Sequence, residues 1–254
     1  MSAAEEITSV KDMVSEEEWQ LRVDLAATYR LVAMHGWDDM IFTHISVRVP
    51  GPDHHFLINP YGMLFEEITA SSLVKIDLEG NIVMDSPYFV NPAGFTIHSA
   101  IHSAREDAQC VLHLHTDDGV AVSAQKDGLQ PITQQSMLLM SQIAYHDYEG
   151  VALDLDERER LIADIGDKKL MLLRNHGTLA VGENCPLAFI AIYFLERACT
   201  AQIRAMTGEL NRPSQAALDT TAEQSRTLFG PGVDALAWPA LLRKLDRLDP
   251  SYRD

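Results

Sequence analysis

The sequence predicts an α/β protein in which a mostly antiparallel sheet packs against helices. Three patterns support this prediction. The first third of the chain alternates apolar and polar residues in short runs separated by turns, as antiparallel hairpins do. Later apolar runs at 110–116 and 169–174 have the length and composition of buried strands. Between and after these runs, apolar residues recur at helical spacing.

The N-terminus predicts an arm followed by a helix. Residues 1–14 are expected to form a flexible acidic arm. Ser15 and Glu18 have the spacing of a capping box, and acidic residues in a first turn favour the helix dipole. The apolar period continues to about Met34, so one helix is expected over this stretch.

The remaining elements are predicted from the spacing of apolar residues and from the turn residues between the apolar runs. The predicted strands are 41–49, 56–58, 73–84 with a turn at 79–81, 110–116 and 169–174, and the predicted helices are 91–105, 157–165 and 184–206. The last helix is capped by Asn184, ends before Gly208 and is apolar on nearly every face. Such a helix belongs either to the core or to a subunit interface, and the pattern favours neither. Residues 15–208 are expected to be one domain, and 209–254 a helical tail that wraps a neighbour.

Composition excludes several classes of function. The chain of 254 residues has 20 Lys and Arg against 37 Asp and Glu, a net charge of −17 that would repel nucleic acids and anionic membranes. Its three cysteines are widely spaced, which argues against a disulfide framework and favours a reducing compartment. The start has no signal peptide, and no apolar run approaches the length of about 18 residues that a membrane span needs, so a cytoplasmic protein is expected.

Histidines form the one constellation that indicates chemistry. In a strand, His113 and His115 point to the same face with Cα atoms about 7 Å apart, so that both rings can reach one ion. His176 follows a buried strand in a tight turn that Gly177 permits. Three imidazoles suit Zn²⁺, with Mn²⁺, Fe²⁺ or Co²⁺ as alternatives. The competing interpretation is three unrelated structural histidines.

Other polar residues give weaker signals. His98 and His102 lie one turn apart on a helix and are expected to be boundary residues of its apolar stripe. The turn at Tyr61 and Gly62 has backbone amides that could hold an anion. Asp117 would extend the face of His113 and His115 if their strand continues.

Taken in order, these motifs resemble the class II aldolase/adducin superfamily. The resemblance rests on Ser46-Val-Arg48, Pro60-x-Gly62, Asn91-Pro-Ala-Gly-Phe-Thr-Ile-His98, His113-Leu-His115 and Arg174-Asn-His176-Gly177, and it covers roughly residues 17–207. It implies a three-layer α/β/α fold with a central mostly antiparallel sheet. It also implies a homotetramer, a small-molecule substrate at sites between subunits, and a divalent metal, commonly zinc, on His113, His115 and His176.

Departures from the family pattern bear on the substrate. The acid/base glutamate of the family's sugar-phosphate aldolases is replaced by Gly94, and their phosphate-binding serines by Pro92 and Ala93. An asparagine that contacts phosphate there is His44 here. Loss of these features argues against a sugar phosphate, and the Asn-x-Ala-Gly-Phe-Thr version is closest to adducin head domains.

The sequence therefore predicts a metal-dependent lyase for a non-phosphorylated hydroxy or keto compound, acting by retro-aldol cleavage or decarboxylation. His44 and Asp117 are the first candidates for acid/base catalysis, followed by His98 and Tyr148, and Tyr61, Gly62 and Gly94 are expected to contact the substrate. One alternative is a non-catalytic oligomeric binding or scaffold domain like that of adducin. Another is a sugar epimerase or aldolase with a relocated acid/base residue.

Overall fold

The computed structural model describes residues 8–151, 156–228 and 232–254. Within these ranges, seven strands form one sheet in the order β3-β2-β1-β4-β7-β6-β5. The strands are β1 (His44–Arg48), β2 (Phe56–Ile58), β3 (Val74–Ile76), β4 (Cys110–Leu114), β5 (Ile143–His146), β6 (Leu170–Leu173) and β7 (Gly177–Gly182). The helices are α1 (Glu16–Met34), α2 (Pro92–Ala104), α3 (Asp117–Ser123), α4 (Gln134–Leu139), α5 (Glu157–Ile165), α6 (Cys185–Ala205), α7 (Gln215–Leu228) and α8 (Val233–Leu248).

The predicted antiparallel character of the sheet is confirmed. Every neighbouring pair of strands is antiparallel except β5 and β6, which run parallel. A parallel pair needs a crossover connection, and α5 lies in the chain between these two strands. In the centre of the sheet, β4 pairs with β1 on one side and with β7 on the other, so His113 lies beside both His44 and Leu179.

The sheet separates two layers of helices, as the three-layer prediction requires. Cys110, Leu112 and Leu114 of β4 belong to the main core, to which α1, α6 and α8 also contribute. Val111 belongs to a second core with α2 and α5. This division follows the alternation of side chains along a strand. Most apolar side chains of α6 are buried within this chain, which favours the core interpretation of that helix.

The predicted strand at 110–116 is too long. It ends at Leu114, and the Thr116 side chain caps α3 by accepting a hydrogen bond from the Gly119 amide at 3.0 Å. Asp117 is therefore the first residue of a helix and does not extend the strand face of His113. Helices α3 and α4 and strands β5 and β7 were not among the predicted elements.

The tail after residue 208 packs on its own chain. It contains the two helices α7 and α8, and the Trp238 indole donates a hydrogen bond to the Asp24 carboxylate of α1 at 3.0 Å. At the C-terminus, Tyr252 is fully buried and its carbonyl accepts a hydrogen bond from the Ala70 amide. Among the described helices, none has the length and hydropathy to cross a membrane.

Candidate metal centre

Three imidazoles converge at one end of the central strands. The Nε2 atom of His115 lies 2.9 Å from that of His113 and 3.0 Å from that of His176. Three ligand atoms, one from each residue, all lie within 4.8 Å of one another. The predicted clustering of these three side chains is therefore what the structure shows.

Each histidine is brought to the cluster by a different local structure. His113 is the fourth residue of β4, and His115 follows the end of that strand. His176 lies in the turn between β6 and β7, where Asn175 adopts a left-handed φ of 58° and the His176 amide donates to the Leu173 carbonyl. It is Asn175, rather than Gly177, that supplies the left-handed backbone of this turn.

Gly177 has another role in the cluster. A Cβ at this position would lie 2.3 Å from the Leu114 carbonyl oxygen, 3.2 Å from the His115 ring and 3.3 Å from the His113 ring. Only a residue without a side chain lets β7 approach the end of β4 this closely. The glycine thus allows the histidines from two strands to meet.

Hydrogen bonds behind two of the rings orient them. The Nδ1–H of His113 donates to the Thr178 carbonyl at 2.9 Å, since a carbonyl can only accept. The Nδ1 of His115 lies 3.0 Å from the Asp39 carboxylate. A ring whose Nδ1 holds a proton for such a partner presents the lone pair of Nε2 to the centre of the cluster, which is the arrangement of metal-binding histidines.

The cluster fits a divalent cation. Tetrahedral zinc with Zn–N bonds of about 2.05 Å would separate its ligand nitrogens by about 3.3 Å, close to the spacing found here. Burial, reinforced by the neighbouring histidines, lowers the pKa of His113 well below its ordinary value and that of His176 to about 4. Both rings are therefore neutral at pH 7, as metal ligands must be.

A cavity of about 340 Å³ opens over the cluster. Its described lining contains no lysine or arginine, and its rim includes the exposed apolar side chains of Phe42 and Val151. The lining residues are Asp39, Phe42, His44, Asn91, Ile97, His113, His115, Tyr148, Gly150, Val151 and His176. The cavity is thus suited to a small molecule and offers little to a multiply charged anion.

His44 is the buried polar residue in the cavity wall whose partners are missing. Its side chain is 5% exposed, and within the described chain neither ring nitrogen has a hydrogen-bond partner of normal geometry, although the backbone of Phe42 and Thr43 lies close enough to affect its pKa. The ring lies 5.6 Å from the His113 ring between centroids. Burial lowers the pKa of His44 to about 3, so this ring is also neutral.

The other residues expected to act on the substrate lie in different places. Asp117 lines a separate cleft behind the cluster, and Tyr148 is on the rim of the cavity, 55% exposed. Tyr61 and Gly62 are absent from the described lining. Gly94 lies in the first turn of α2, in a stretch whose side chains the structure does not describe. The substrate contacts of Tyr61, Gly62 and Gly94 stay predictions.

Sequence reasoning missed two residues that support the cluster. Asp39 lies in an irregular segment before β1, and no periodicity marks it as the partner of His115. Glu196 has 1% exposure on α6 and accepts hydrogen bonds from Thr116 and Thr178. A glutamate inside an otherwise apolar helical run was the available signal for Glu196, because such a residue is rarely buried without a partner.

Comparison with known proteins identifies relatives over most of the chain. Residues 23–203 match the family model described as Class II Aldolase and Adducin N-terminal domain. A Caulobacter vibrioides protein assigned provisionally to aldolase class 2 is 61% identical over 97% of this chain and 96% of its own length. Rat alpha-adducin is 48% identical over 73% of this chain, a match that spans 26% of the adducin.

Solved structures give the same result. A Pseudomonas syringae aldolase II superfamily protein superposes with a TM-score of 0.94 at 53% identity, covering 97% of this chain and all of the other. An L-fuculose 1-phosphate aldolase from Glaciozyma antarctica superposes with a TM-score of 0.80 at 27% identity, covering 99% of this chain and 97% of its own.

Proposed function

The chain belongs to the class II aldolase and adducin family, and we propose that it is a lyase that depends on a divalent metal. In this proposal it cleaves a C–C bond of a non-phosphorylated hydroxy or keto compound. The observation that carries the proposal is the convergence of three imidazole Nε2 atoms in the lining of a cavity.

His113, His115 and His176 would hold the cation, and zinc is the first choice because three imidazoles and an open position suit it. When bound, the cation supplies Lewis-acid stabilisation of negative charge on a substrate oxygen. The chain supplies orientation, because the Thr178 carbonyl and the Asp39 carboxylate hold two of the rings in place.

Proton transfer also needs a group of the chain. In a retro-aldol reaction a hydroxyl proton leaves as the C–C bond breaks, and the carbon of the other product takes up a proton. In decarboxylation only the second of these transfers is needed. We assign the two transfers of the retro-aldol reaction to His44, which lines the cavity and whose neutral ring can take the hydroxyl proton and return it to the carbon.

The lining supports a substrate without phosphate. A phosphate group usually meets arginine, lysine or clustered backbone amides, and the described lining contains no lysine or arginine. This distinguishes the proposal from the activity in the name of the Glaciozyma antarctica protein. The match with rat alpha-adducin keeps a binding or scaffold domain as the second candidate.

The test is a turnover assay with matched compounds. Zinc-loaded protein is offered non-phosphorylated hydroxy acids, β-keto acids and aldols, together with phosphorylated counterparts, before and after chelation. We expect turnover of a non-phosphorylated compound that chelator abolishes and added metal restores. His113→Ala should lose this turnover, whereas His54→Ala should keep it, because His54 is exposed in a distant turn.

Two results would contradict the proposal. Turnover that survives both chelation and His113→Ala would show that the histidine cluster is not the catalytic centre. No turnover by the metal-loaded protein across all these compounds would favour the scaffold alternative.

A further inference from the structure

A second set of buried polar groups continues from the cavity wall into the protein. It consists of His44, His98, Ser46 and His102, each with an exposure of 5% or less. The Ser46 hydroxyl oxygen lies 2.6 Å from His98 Nδ1 and 2.7 Å from His102 Nε2. His98 and His102 are therefore not boundary residues, as the sequence predicted, but members of a buried hydrogen-bonded chain.

The donor-to-acceptor direction of the hydrogen bonds along this set is fixed at His102. Its Nδ1 lies 2.8 Å from the Ala108 carbonyl oxygen, which can only accept, so the proton is on Nδ1. Burial lowers the pKa of His102 to about 3, so the ring is neutral and carries no second proton. Its Nε2 must therefore accept a hydrogen bond from Ser46.

Ser46 transmits this direction to His98. Its hydroxyl has one proton, which it donates to His102, and its oxygen must then accept from the Nδ1–H of His98. Burial also lowers the pKa of His98 well below its ordinary value, so this ring is neutral. The Nε2 of His98 is consequently a bare acceptor, and within the described chain it has no partner.

The unsatisfied acceptor lies beside His44. The two ring centroids are 4.7 Å apart, and in the described chain neither nitrogen of His44 makes a hydrogen bond of normal geometry. A buried acceptor without a donor is costly, and the imidazole N–H of His44 is the adjacent group that can supply one. An N–H turned towards His98 leaves the other nitrogen of His44 as an acceptor, on a residue that lines the cavity.

We propose that His98 is a positioning residue, fixed by Ser46 and His102 as an acceptor, that sets the tautomer of His44 so that His44 accepts a hydrogen bond from a substrate hydroxyl. This inference rests on the proposed function for its substrate, but the hydrogen-bonded chain itself is testable without turnover. It narrows the substrate class to compounds that present a hydroxyl to His44 beside the metal ligands.

The tautomers can be read by NMR. Full-length zinc-loaded protein labelled with ¹⁵N-histidine is measured by magic-angle spinning at pH 7, with resonances assigned by single-histidine variants. We expect the Nδ1–H tautomer at both His98 and His102. Ser46→Ala should shift the ¹⁵N resonances of His98 and leave those of His146 unchanged. His146 does not belong to this hydrogen-bonded set and is held by Asp164 and Glu157.

A kinetic arm uses a serine on α2 as the control. Ser46→Ala is expected to lower kcat/KM for a hydroxyl-bearing substrate about tenfold, with zinc content unchanged. Ser103→Ala should have no effect, because among the described residues the Ser103 hydroxyl bonds only to the Ala100 carbonyl of its own helix. A purely structural role for Ser46 would lower stability without lowering kcat/KM.

The outcomes are separable. An Nε2–H tautomer at His98 in the unaltered protein, or His98 resonances that Ser46→Ala does not move, overturns the positioning role whatever the activity. The expected tautomers without turnover of any hydroxy compound leave the hydrogen-bonded chain intact but overturn its link to a substrate hydroxyl. That second result also counts against the proposed lyase.

Discussion

Glu196 holds together the two chain segments that carry the metal ligands. Its carboxylate accepts hydrogen bonds of 2.5 Å from the hydroxyls of Thr116 and Thr178. Thr116 follows His115 directly, and Thr178 is two residues beyond His176 and accepts from His113 through its carbonyl. Both carboxylate oxygens are thus used in a buried position, where an unpaired charge would be strongly destabilising.

Burial gives Glu196 a measurable effect on stability. It raises the pKa of Glu196 in the folded protein to about 7, above the ordinary value of 4.5. Between these values the folded state binds more protons than the unfolded state, so stability falls as the pH rises. We expect the free energy of unfolding, relative to Glu196→Gln, to decrease by on the order of 3 kcal/mol from pH 4 to pH 8. Urea unfolding of both proteins across this pH range checks the prediction. A difference in the free energy of unfolding that does not change with pH would contradict it.

The second prediction at the scale of single residues concerns Gly177. Gly177→Ala places a Cβ against the Leu114 carbonyl and the rings of His113 and His115. We expect a loss of about 2 kcal/mol in the free energy of unfolding and at least tenfold weaker zinc binding. Gly208→Ala is the control, because a Cβ there has open space within 4 Å in the described structure. Equal zinc affinity in both variants would contradict the role given to Gly177.

Residue patterns predicted the metal ligands better than the residues that hold those ligands in place. The spacing of His113 and His115 on one strand, with His176 in a later turn, contained enough information to bring three rings together. Asp39 and Glu196 reach the same centre from distant parts of the chain, and only the tertiary fold makes them neighbours. His98 and His102 were misjudged because a helical stripe does not show which neighbours cover its edge.

At the scale of elements, capping residues decided where the predictions succeeded. Asn184 begins α6 as predicted, and its side chain accepts from the Leu187 amide at 2.8 Å. Thr116 caps α3 in the same way but was assigned to a strand, so Asp117 was placed on the wrong element. Asp117 and Asp118 after a threonine are a helix-start pattern, and they were the signal that could have prevented this error.

The Asn184 cap gives a prediction for the whole helix. Asn184→Ala removes the acceptor for one amide at the N-terminus of α6. We expect the free energy of unfolding to fall by about 1 kcal/mol, as measured by urea denaturation. Asn211→Ala, an exposed change outside any helix, should have no such effect. An unchanged stability for Asn184→Ala would contradict the capping role.

At the scale of the whole molecule, the seven-stranded sheet and its two helical layers place the histidines at one end of the central strands. The antiparallel order of the central strands follows from alternating patterns, but the parallel β5–β6 pair does not, because β5 has no distinctive period in the sequence. The tail helices were predicted, but the packing of α8 on α1 depends on contacts such as Trp238 with Asp24 that separate elements do not reveal.

Assembly is a prediction at this scale. We propose a homotetramer, since the chain belongs to the class II aldolase and adducin family and exposes Phe42, Tyr148 and Val151 around the mouth of the cavity. Light scattering at micromolar concentration should give about four times the chain mass of 28.3 kDa. A monomer mass would rule out the tetramer.

Metal analysis of untagged protein tests the central claim most directly. Inductively coupled plasma mass spectrometry should find about one divalent ion per chain, with zinc expected first. His113→Ala and His176→Ala should each remove it, and His54→Ala should retain it, because only the first two change the cluster. Full metal content in both cluster variants would show that the three converging imidazoles do not bind the ion.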